Sequence, residues 1–581
     1  MYDFHKVEFE KINKNTKLYY GVDLDKQREA LLNSEKVKPV LDVLFKNAET
    51  AMNKKYEVLP MSLYDAQNNG GNRRDFEYPW FERRNNCAFL AAALWLTRDE
   101  KYIYPLIDHI CMICDEFTWC SPAHLHFVAE VNTLDDMMTQ LELFHCQTGR
   151  LMTDVIAMVG EFLPSYIHAR MEYEIRRRII KPLREGRHFW WMDVKLNWAT
   201  VCCSNSLAAL LYYGTDEEIE QIIPMLTQCA ENYLDGVQDD GCCLEGFLYW
   251  SYGFGHFLVF AKIMYEYTGG KVNYFEREKV KKLAMFLQNV RMGESTMLCF
   301  SDCQPKLFFS AGTMSFLKSL YPDDIIRPEL KYANAYTLNI FAMTEFLWLD
   351  ADYSADESKD CETFYDKSQW YIKQSDKFCF GAKGGHNGEP HNHCDIGSFM
   401  LVVDDEIPLD DFGQGLYGKF TLDEIYSRIP EGSCGHSVPI INGKHQCYGG
   451  DYKYRAENMK LEGNELSLDI EKAYEEGLVD KIHRTFKIGE NSIVLTDDFV
   501  YSEQTETIVE RFVSHIEPQV GENFVDYGKA KIVFDNEKYK VSVEKESYRN
   551  HYNTKDLDAY LVDFVALADK ETHFEFRIEI K

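Results

Sequence analysis

The sequence predicts an α+β protein of several domains, in which a helical N-terminal half precedes an antiparallel β-rich C-terminal half. The chain has 581 residues, more than one hydrophobic core usually supports. Apolar residues recur at helical spacing through the first half, whereas alternating segments prevail from about residue 365. Because helices followed by strands favour separate layers, we predict a helical domain at 1–355 and a β-sandwich domain at 365–581.

The helical half is predicted from apolar periodicity and from short breaks between the periodic segments. The segments with helical spacing are 87–96, 103–113, 134–144, 207–213, 219–233 and 257–267. The predicted breaks between them are 97–100, 147–150, 214–217 and 268–270, and several contain the glycine expected after a helix. Short connections favour antiparallel helical hairpins, and their repetition predicts a solenoid or a closed toroid.

The C-terminal half is predicted as a stacked-sheet sandwich. Segments that alternate between apolar and polar residues include 492–497, 530–534, 539–543 and 573–580. Turn signals at 488–491 and 535–537 separate them. The acidic stretch 350–360 is the predicted linker between the two halves.

Charge restricts the classes of partner. The net charge is −31, from 63 basic and 94 acidic residues, so we expect neither nucleic acid nor an anionic membrane surface as a partner. An anionic substrate would need a local basic patch, and the arginine-rich segment 176–188 is one candidate. The alternative is that this segment is a solvated helix face.

The start of the chain and the cysteines bear on the compartment. Residues 1–8 lack the apolar segment of a signal peptide, and no apolar run is long enough to span a bilayer. The 17 cysteines include adjacent pairs, a poor spacing for a disulfide framework. We therefore expect reduced thiols in a cytoplasmic protein, although a chain shortened at its start would allow a periplasmic or secreted one.

The segment 384–399 carries the strongest indication of chemistry. It places three histidines and two carboxylates between glycines, just before an apolar run at 399–403. His391 and His393 alternate, so in an extended strand both imidazoles would share a face. Two imidazoles on one face suit a metal ion, or one metal ligand beside one group that transfers protons.

Five motifs, in this order, resemble those of the heparinase II/III-like polysaccharide lyases. They are Asn197-Trp198, the Glu-Gly-x-x-Tyr-Trp-x-Tyr-Gly segment at 245–253, the His-x-His-x-Asp-x-Gly-Ser-Phe segment at 391–399, Asp-x-Gly at 411–413, and a histidine-led strand at 436–443. The resemblance runs across most of the chain. It implies an (α/α) toroid followed by an antiparallel β-sandwich, and an enzyme that cleaves anionic polysaccharides or oligosaccharides.

The resemblance implies a β-elimination next to a uronic acid. Neutralising the carboxylate of the sugar stabilises the charge that develops when its C5 proton leaves, and Asn197 would contribute to this neutralisation. Tyr249 would take the tyrosine role in proton transfer, and His391 would be the partner acid or base. The alternatives are purely structural roles: aromatic packing for Tyr249 and a helix N-cap for Asn197.

Several further residues are candidates for catalysis or substrate binding. Tyr252, one helical turn after Tyr249, is the fallback tyrosine, and Glu245 begins the same motif. Several members of the superfamily have a histidine where this chain has Trp198, so another residue would have to replace it. The candidates for that replacement are His124, Arg83 and Arg84, each of which could instead be purely structural.

A metal site is also implied by the resemblance. Its ligands would be His393, Asp411 and His436, with Asp410 as an alternative to Asp411. Two imidazoles and one carboxylate suit zinc or manganese. We expect this divalent ion to be structural and to hold the loops that present His391.

The leading prediction is a lyase for glycosaminoglycans such as hyaluronan, chondroitin or heparan sulfate, giving 4,5-unsaturated products. The absence of a signal peptide favours oligosaccharides as substrates. Three alternatives stay open: an alginate or oligoalginate lyase, a glycoside hydrolase that uses carboxylates such as Asp239, Asp240 and Glu245, and a glycan-binding protein without activity.

Overall fold

The computed structural model describes residues 21–55, 57–66, 71–125, 133–333, 342–357, 360–416, 420–450, 452–550, 555–567 and 570–581. Residues 1–8 and positions 358–359 of the predicted linker lie outside them. Within the described residues, helices extend to Trp348 and strands run from Cys361 onward, with one short helix among the strands. This order confirms the predicted fold class.

The described α-helices differ in length and burial, and all but the last precede the first strand. They are α1 (Leu24–Leu32), α2 (Lys38–Met52), α3 (Met61–Ala66), α4 (Arg73–Thr97), α5 (Ile103–Cys114), α6 (Leu134–Met138), α7 (Leu143–Val159), α8 (Ser165–Ile175), α9 (Lys181–Arg184), α10 (Asn197–Tyr213), α11 (Asp216–Gly236), α12 (Gly246–Tyr249), α13 (Gly255–Tyr267), α14 (Glu278–Ala284), α15 (Phe286–Asn289), α16 (Ala311–Leu320), α17 (Ala342–Trp348) and α18 (Leu422–Tyr426). Helix α11 shows why they form: a Thr215–Glu218 capping box starts it, and its isoleucines and leucines face the core.

Two sequence-based predictions in this region are wrong. The segment 134–144 is not one helix, because Thr133 caps the short α6 and Glu142 caps α7 separately. The predicted break at 147–150 lies inside α7. Gly149 is there for close packing: a Cβ at this position would lie 2.9 Å from Cγ1 of Ile179. A glycine that allows two helices to approach gives the same sequence signal as a glycine that ends one.

The strands form three antiparallel sheets. They are β1 (Cys361–Tyr365), β2 (Trp370–Gln374), β3 (Cys379–Lys383), β4 (Phe399–Val403), β5 (Glu406–Leu409), β6 (Pro439–Ile441), β7 (Glu457–Glu462), β8 (Glu465–Asp469), β9 (Lys481–Ile488), β10 (Ser492–Val500), β11 (Ile508–Ser514), β12 (Gln519–Val520), β13 (Phe524–Asp526), β14 (Ala530–Val533), β15 (Tyr539–Tyr548), β16 (Leu557–Ala566) and β17 (His573–Ile580). The sheet orders are β1-β2-β3-β4-β5, β12-β13-β14-β17-β10-β9-β8-β7 and β15-β16-β11-β6.

One hydrophobic core joins the three sheets. It contains Phe399 from the first sheet, Phe486 and Phe576 from the second, and Phe512 and Phe564 from the third. Burial alternates along β9 and β10, as expected for strands with one face on a core. The predicted turn at 488–491 connects these two strands, which pair in register from Ile493 with Ile488 to Val500 with Lys481.

The chain divides into two compact units. The helical unit comprises 1–237, 251–281 and 308–357, and the β-rich unit comprises 238–250, 282–307 and 358–581. The predicted domain boundary between 355 and 365 stays a prediction, and it did not anticipate the two earlier segments of the β-rich unit. Among the described residues, no helix combines the length and the apolar character needed to cross a bilayer.

Candidate active site

Tyr249 and His391 stack on each other in the β-rich unit. Their ring centroids are 4.0 Å apart, and the ring planes differ by 23°. Tyr249 is the last residue of α12, and a π-helical turn over Trp250–Phe254 follows it. Such turns are frequent at functional sites. Two residues that the resemblance assigned to proton transfer are therefore in direct contact, 142 positions apart in sequence by subtraction of their numbers.

Asp302 fixes the imidazole of His391. Nδ1 of His391 donates to Oδ2 of Asp302 over 2.7 Å, and the backbone N–H of Asp302 donates to the carbonyl of His391 over 3.2 Å. Burial opposes the protonation of His391, but the hydrogen bond and charge of Asp302, with the charge of Glu245, raise the pKa of the imidazole. Burial likewise disfavours the ionised form of Asp302, but the histidines outweigh it and hold the pKa of that carboxyl below its usual range. The contact therefore favours the imidazolium form of His391 and the carboxylate form of Asp302.

Glu245 lies on the other side of the imidazole. Its Oε2 is 3.7 Å from Nε2 of His391. The next residue, Gly246, has a φ of +86°, and a Cβ there would lie 2.3 Å from Sγ of Cys303 and 2.8 Å from the carbonyl oxygen of Phe300. Glycine is needed at this position because the turn before α12 packs directly on the segment that carries Asp302.

The predicted geometry of the two histidines is wrong, although they do converge. His391 and His393 lie in the loop before β4 and not in a strand, and His391 has a left-handed φ of +57°. A non-glycine residue in this region is uncommon and is found at functional sites. The histidines meet at the two oxygens of one carboxylate: Nε2 of His393 is 3.5 Å from Oδ1 of Asp302.

Four buried residues form a group that could hold a metal ion. Their ligand atoms all lie within 4.8 Å of one another; the residues are His393, Asp395, Asp411 and His436. Three of them were predicted, and Asp395 was not. Asp410, the alternative to Asp411, instead accepts a hydrogen bond of 2.6 Å from His515.

The residues of this group fit a divalent cation. Within the described part of the chain, both ring nitrogens of His393, Oδ2 of Asp411 and Nδ1 of His436 are buried and lack hydrogen-bond partners. Nδ1 of His436 and Oδ2 of Asp411 approach to 3.3 Å without the geometry of a hydrogen bond. Buried polar atoms without partners are costly, and a cation would satisfy them together. Imidazole and carboxylate ligands suit zinc or manganese.

Asp395 also forms a buried ion pair with Lys383, which the sequence did not predict. Its Oδ1 is 2.9 Å from Nζ of Lys383, and both side chains are buried. The ammonium balances a charge that would otherwise be isolated. The signal that could have identified Asp395 is the His-x-His-x-Asp motif itself, because this aspartate is its third polar position.

The helical unit holds the other predicted residues. Asn197 is buried at the first position of α10, and Leu196, not Asn197, occupies the N-cap position. The backbone of Gly253 lies close to it, since a Cβ on that glycine would be 3.0 Å from Cβ of Asn197. The Asn197 motif and the end of the 245–253 motif therefore meet.

Aromatic rings pack on Trp198, the residue for which we predicted a replacement. Its ring lies 4.9 Å from His124 and 4.7 Å from Trp190. Nδ1 of His124 and Oε2 of Glu142 form a hydrogen bond of 2.6 Å. Of the three candidate replacements, His124 is the one whose ring packs on that of Trp198 in the described part of the chain.

The remaining candidates have structural contacts. Arg83 and Arg84 are buried and pair with Glu116. The hydroxyl of Tyr252 accepts a hydrogen bond of 2.8 Å from Gln147, and burial raises the pKa of Tyr252 well above its usual value. Burial of this kind disfavours the phenolate form that a base would need.

The arginine-rich segment is neutralised by acidic partners. Arg176 and Arg184 pair with Glu218, while Arg177 and Arg178 pair with Glu174. These pairs leave little free positive charge for an anionic ligand, but the segment is not simply a solvated helix face either, because Arg178 is fully buried.

The chain shares its fold with solved polysaccharide lyases. Heparan sulfate lyase HepC from Pedobacter heparinus aligns with a TM-score of 0.59 and 11% identity, over 95% of this chain and 92% of that one. A heparinase III structure aligns with a TM-score of 0.57 and 13% identity, over 90% and 79%. Chondroitin AC lyase from Streptomyces coelicolor A3, solved with chondroitin sulphate, aligns with a TM-score of 0.55 and 9% identity, over 96% and 82%.

Comparison with sequences adds nothing to this: no protein-family profile matches the chain, and no curated protein does. The structural likeness thus confirms the predicted fold, which this chain shares with heparan sulfate lyase HepC and chondroitin AC lyase.

Proposed function

We propose that this protein is a polysaccharide lyase that cleaves uronic-acid-containing glycans by β-elimination. The observation that carries the proposal is the stacked pair of Tyr249 and His391, with the imidazole held by Asp302. The pair occurs on a fold shared with lyases whose names specify heparan sulfate and chondroitin. A glycosaminoglycan is the substrate class that we favour.

The reaction needs a base, an acid and a group that neutralises the uronate. The base removes the proton from C5, the electron pair forms the C4–C5 double bond, and the bond from C4 to its oxygen breaks. The departing oxygen then takes up a proton. No water is consumed, and the new sugar end is a conjugated, unsaturated carboxylate.

Tyr249 is suited to proton transfer because of the ring on which it stacks. The imidazolium form of His391 places positive charge next to the phenol, which stabilises negative charge on the phenolic oxygen. Tyr249 would accept the C5 proton or donate to the departing oxygen, and His391 would share this work. Asn197 would donate from its side-chain amide to the uronate, and His124 is the candidate for the second neutralising group.

Asp302 is a positioning residue in this scheme. By accepting from Nδ1, it leaves Nε2 as the ring nitrogen that faces Glu245. It also stabilises the positive charge of the ring. A carboxylate that orients a catalytic imidazole in this way usually contributes to the rate without touching the substrate.

The metal ion is proposed as a structural component. The ligands would be His393, Asp411 and His436, with Asp395 as a fourth. When bound, the ion would neutralise buried carboxylates and hold together the loops that precede β4 and β6. His391 is two residues from a proposed ligand, so a bound ion that fixes the metal site would also fix the loop that carries His391.

The hydrolase alternative is less well supported. Oδ2 of Asp240 accepts from the backbone N–H groups of Lys367 and Ser368 over 3.0 and 2.8 Å, and Oδ1 accepts from the Ser368 hydroxyl over 2.9 Å. A carboxylate saturated by such bonds holds a turn in place and is poorly suited to attack a glycosidic bond. A binding protein without activity, or a lyase for alginate, would be revealed by the experiment below.

The test is the ultraviolet absorbance of the conjugated product. We expect a rise with at least one of hyaluronan, chondroitin, heparan sulfate and alginate oligosaccharides, and its loss in Tyr249→Phe and His391→Ala. Tyr252→Phe is the matched control, because that hydroxyl is occupied by Gln147. New reducing ends without absorbance would establish a hydrolase, and binding without either signal would establish a glycan-binding protein.

A further inference from the structure

Two tyrosines stack on each other at the surface of the β-rich unit, outside the residues that the mechanism uses. The rings of Tyr426 and Tyr448 have centroids 4.4 Å apart and planes that differ by 22°. Both side chains are only partly buried. The hydroxyl of Tyr448 donates to Asp423, and Asp423 lies in the capped helix α18, so the second ring is held in place.

The segments that carry the two tyrosines border the loop of His391. The backbone N–H of Cys394 donates to the carbonyl of Glu431 over 2.9 Å, which joins the loop to the segment after Tyr426. The N–H of Gly449, next to Tyr448, donates to the carbonyl of Asn387 over 3.1 Å. The loop from 387 to 394 is thus flanked by both segments. Consistent with this closeness, burial chiefly and the charge of Asp302 in addition raise the pKa of Tyr426.

Among the described residues, the arginines near the stack are paired with carboxylates, and Nζ of Lys453 lies over the ring of Tyr454. Arg428 donates to Glu431 through Nε over 3.1 Å and to the carbonyl of Leu416 through its Nη1 over 2.9 Å. Arg455 is paired with Glu457. The carboxylate in direct contact with the stack is Asp423. A sulfated sugar would therefore meet repulsion here, whereas the apolar face of an uncharged pyranose would fit an aromatic surface.

We propose that Tyr426 and Tyr448 form a binding platform for an uncharged, unsulfated sugar residue of the glycan, beside the Tyr249–His391 pair. The proposal rests on the proposed function for the identity of the glycan, but it concerns a separate set of residues. Aromatic rings bury large areas at little cost in conformational entropy, and polar rims fix the orientation of the ligand. The platform would select against substrates that carry sulfate on the sugar next to the uronate.

The experiment measures binding separately from turnover. Calorimetric titration of the His391→Ala protein, in which cleavage should be lost, would use unsulfated and hexosamine-sulfated chondroitin tetrasaccharides. We expect the unsulfated tetrasaccharide to bind more tightly, and Tyr448→Ala added to this background to weaken its binding about tenfold. Tyr448→Phe keeps the ring and should retain most of the affinity. Tyr104→Ala, at a tyrosine 75% exposed in the helical unit, is the control.

The outcomes separate the platform from the catalytic proposal. If Tyr448→Ala and Tyr426→Ala leave both Kd and KM unchanged in folded proteins while wild type eliminates, the platform is refuted and the lyase stands. If binding depends on the tyrosines but wild type yields no conjugated product, the platform stands and the lyase does not. Tighter binding of the sulfated tetrasaccharide, or binding of neither by the His391→Ala protein, would overturn the platform.

Discussion

Replacing Asp302 by asparagine is the perturbation that isolates the positioning role of this carboxylate. The asparagine has the same shape, and its amide oxygen can still accept from Nδ1 of His391, but the negative charge is lost. The bond of 2.7 Å is made to a charged carboxylate, and hydrogen bonds to charged groups contribute about 1.5–3 kcal/mol. If the imidazolium matters in the transition state, kcat should fall by a factor of about 10–150 with little change in KM.

The assay is the rate of ultraviolet absorbance with the best substrate, measured under saturating and limiting conditions. Because Asp302 also lies 3.5 Å from His393, the metal content and Tm of the variant must be compared with those of wild type. Asp239→Asn is a suitable control, since it removes one charge from an exposed aspartate of the same unit. An unchanged kcat in a folded, metal-replete Asp302→Asn protein would refute the positioning role.

Two further predictions concern the support of the site. His436→Ala, or removal of divalent ions by a chelator, should lower Tm and release an ion detectable by elemental analysis, because buried ligand atoms would lose their partner. Wild-type protein that contains no ion after purification and gains no stability from added zinc or manganese would contradict the metal site. Arg484→Met should destabilise the protein by about 3–5 kcal/mol in chemical denaturation, because it leaves Asp497 and Glu510 buried without their cation. The arginine also donates to the carbonyls of Gly397 and Ser437 over 2.8 Å each, next to the loops of the metal ligands. The metal affinity should therefore fall as well. A loss of stability with unchanged metal affinity would show that the arginine supports only the sheet.

Periodicity predicted the parts of the fold that bury one face. The predicted strand at 573–580 matches β17, and the predicted helix at 219–233 lies within α11. Such elements can be predicted from sequence because every second side chain of a strand, or every third and fourth side chain of a helix, packs into the core. The break predicted at Gly149 was wrong, because a glycine in the sequence does not show whether it ends a helix or admits a neighbour.

The candidate site could be predicted where its residues lie in short motifs. Tyr249 and His391 were identified by resemblance, and the structure brings them into contact. Asp302 was missed, because it lies 89 positions from His391 in a segment with neither periodicity nor a motif. Asp302 reaches the site because its segment packs against the turn at Gly246, and no local sequence pattern predicts that contact. The platform tyrosines were missed for the same reason, since their stacking joins two separate loops.

The measurement that most directly tests the account is the appearance of the conjugated carboxylate when the purified protein meets the panel of uronate oligosaccharides. We predict a rise in absorbance with a glycosaminoglycan, lost in Tyr249→Phe and in His391→Ala and retained in Tyr252→Phe. Cleavage that yields new reducing ends without this absorbance, or a full rise in the Tyr249→Phe protein, would contradict the account.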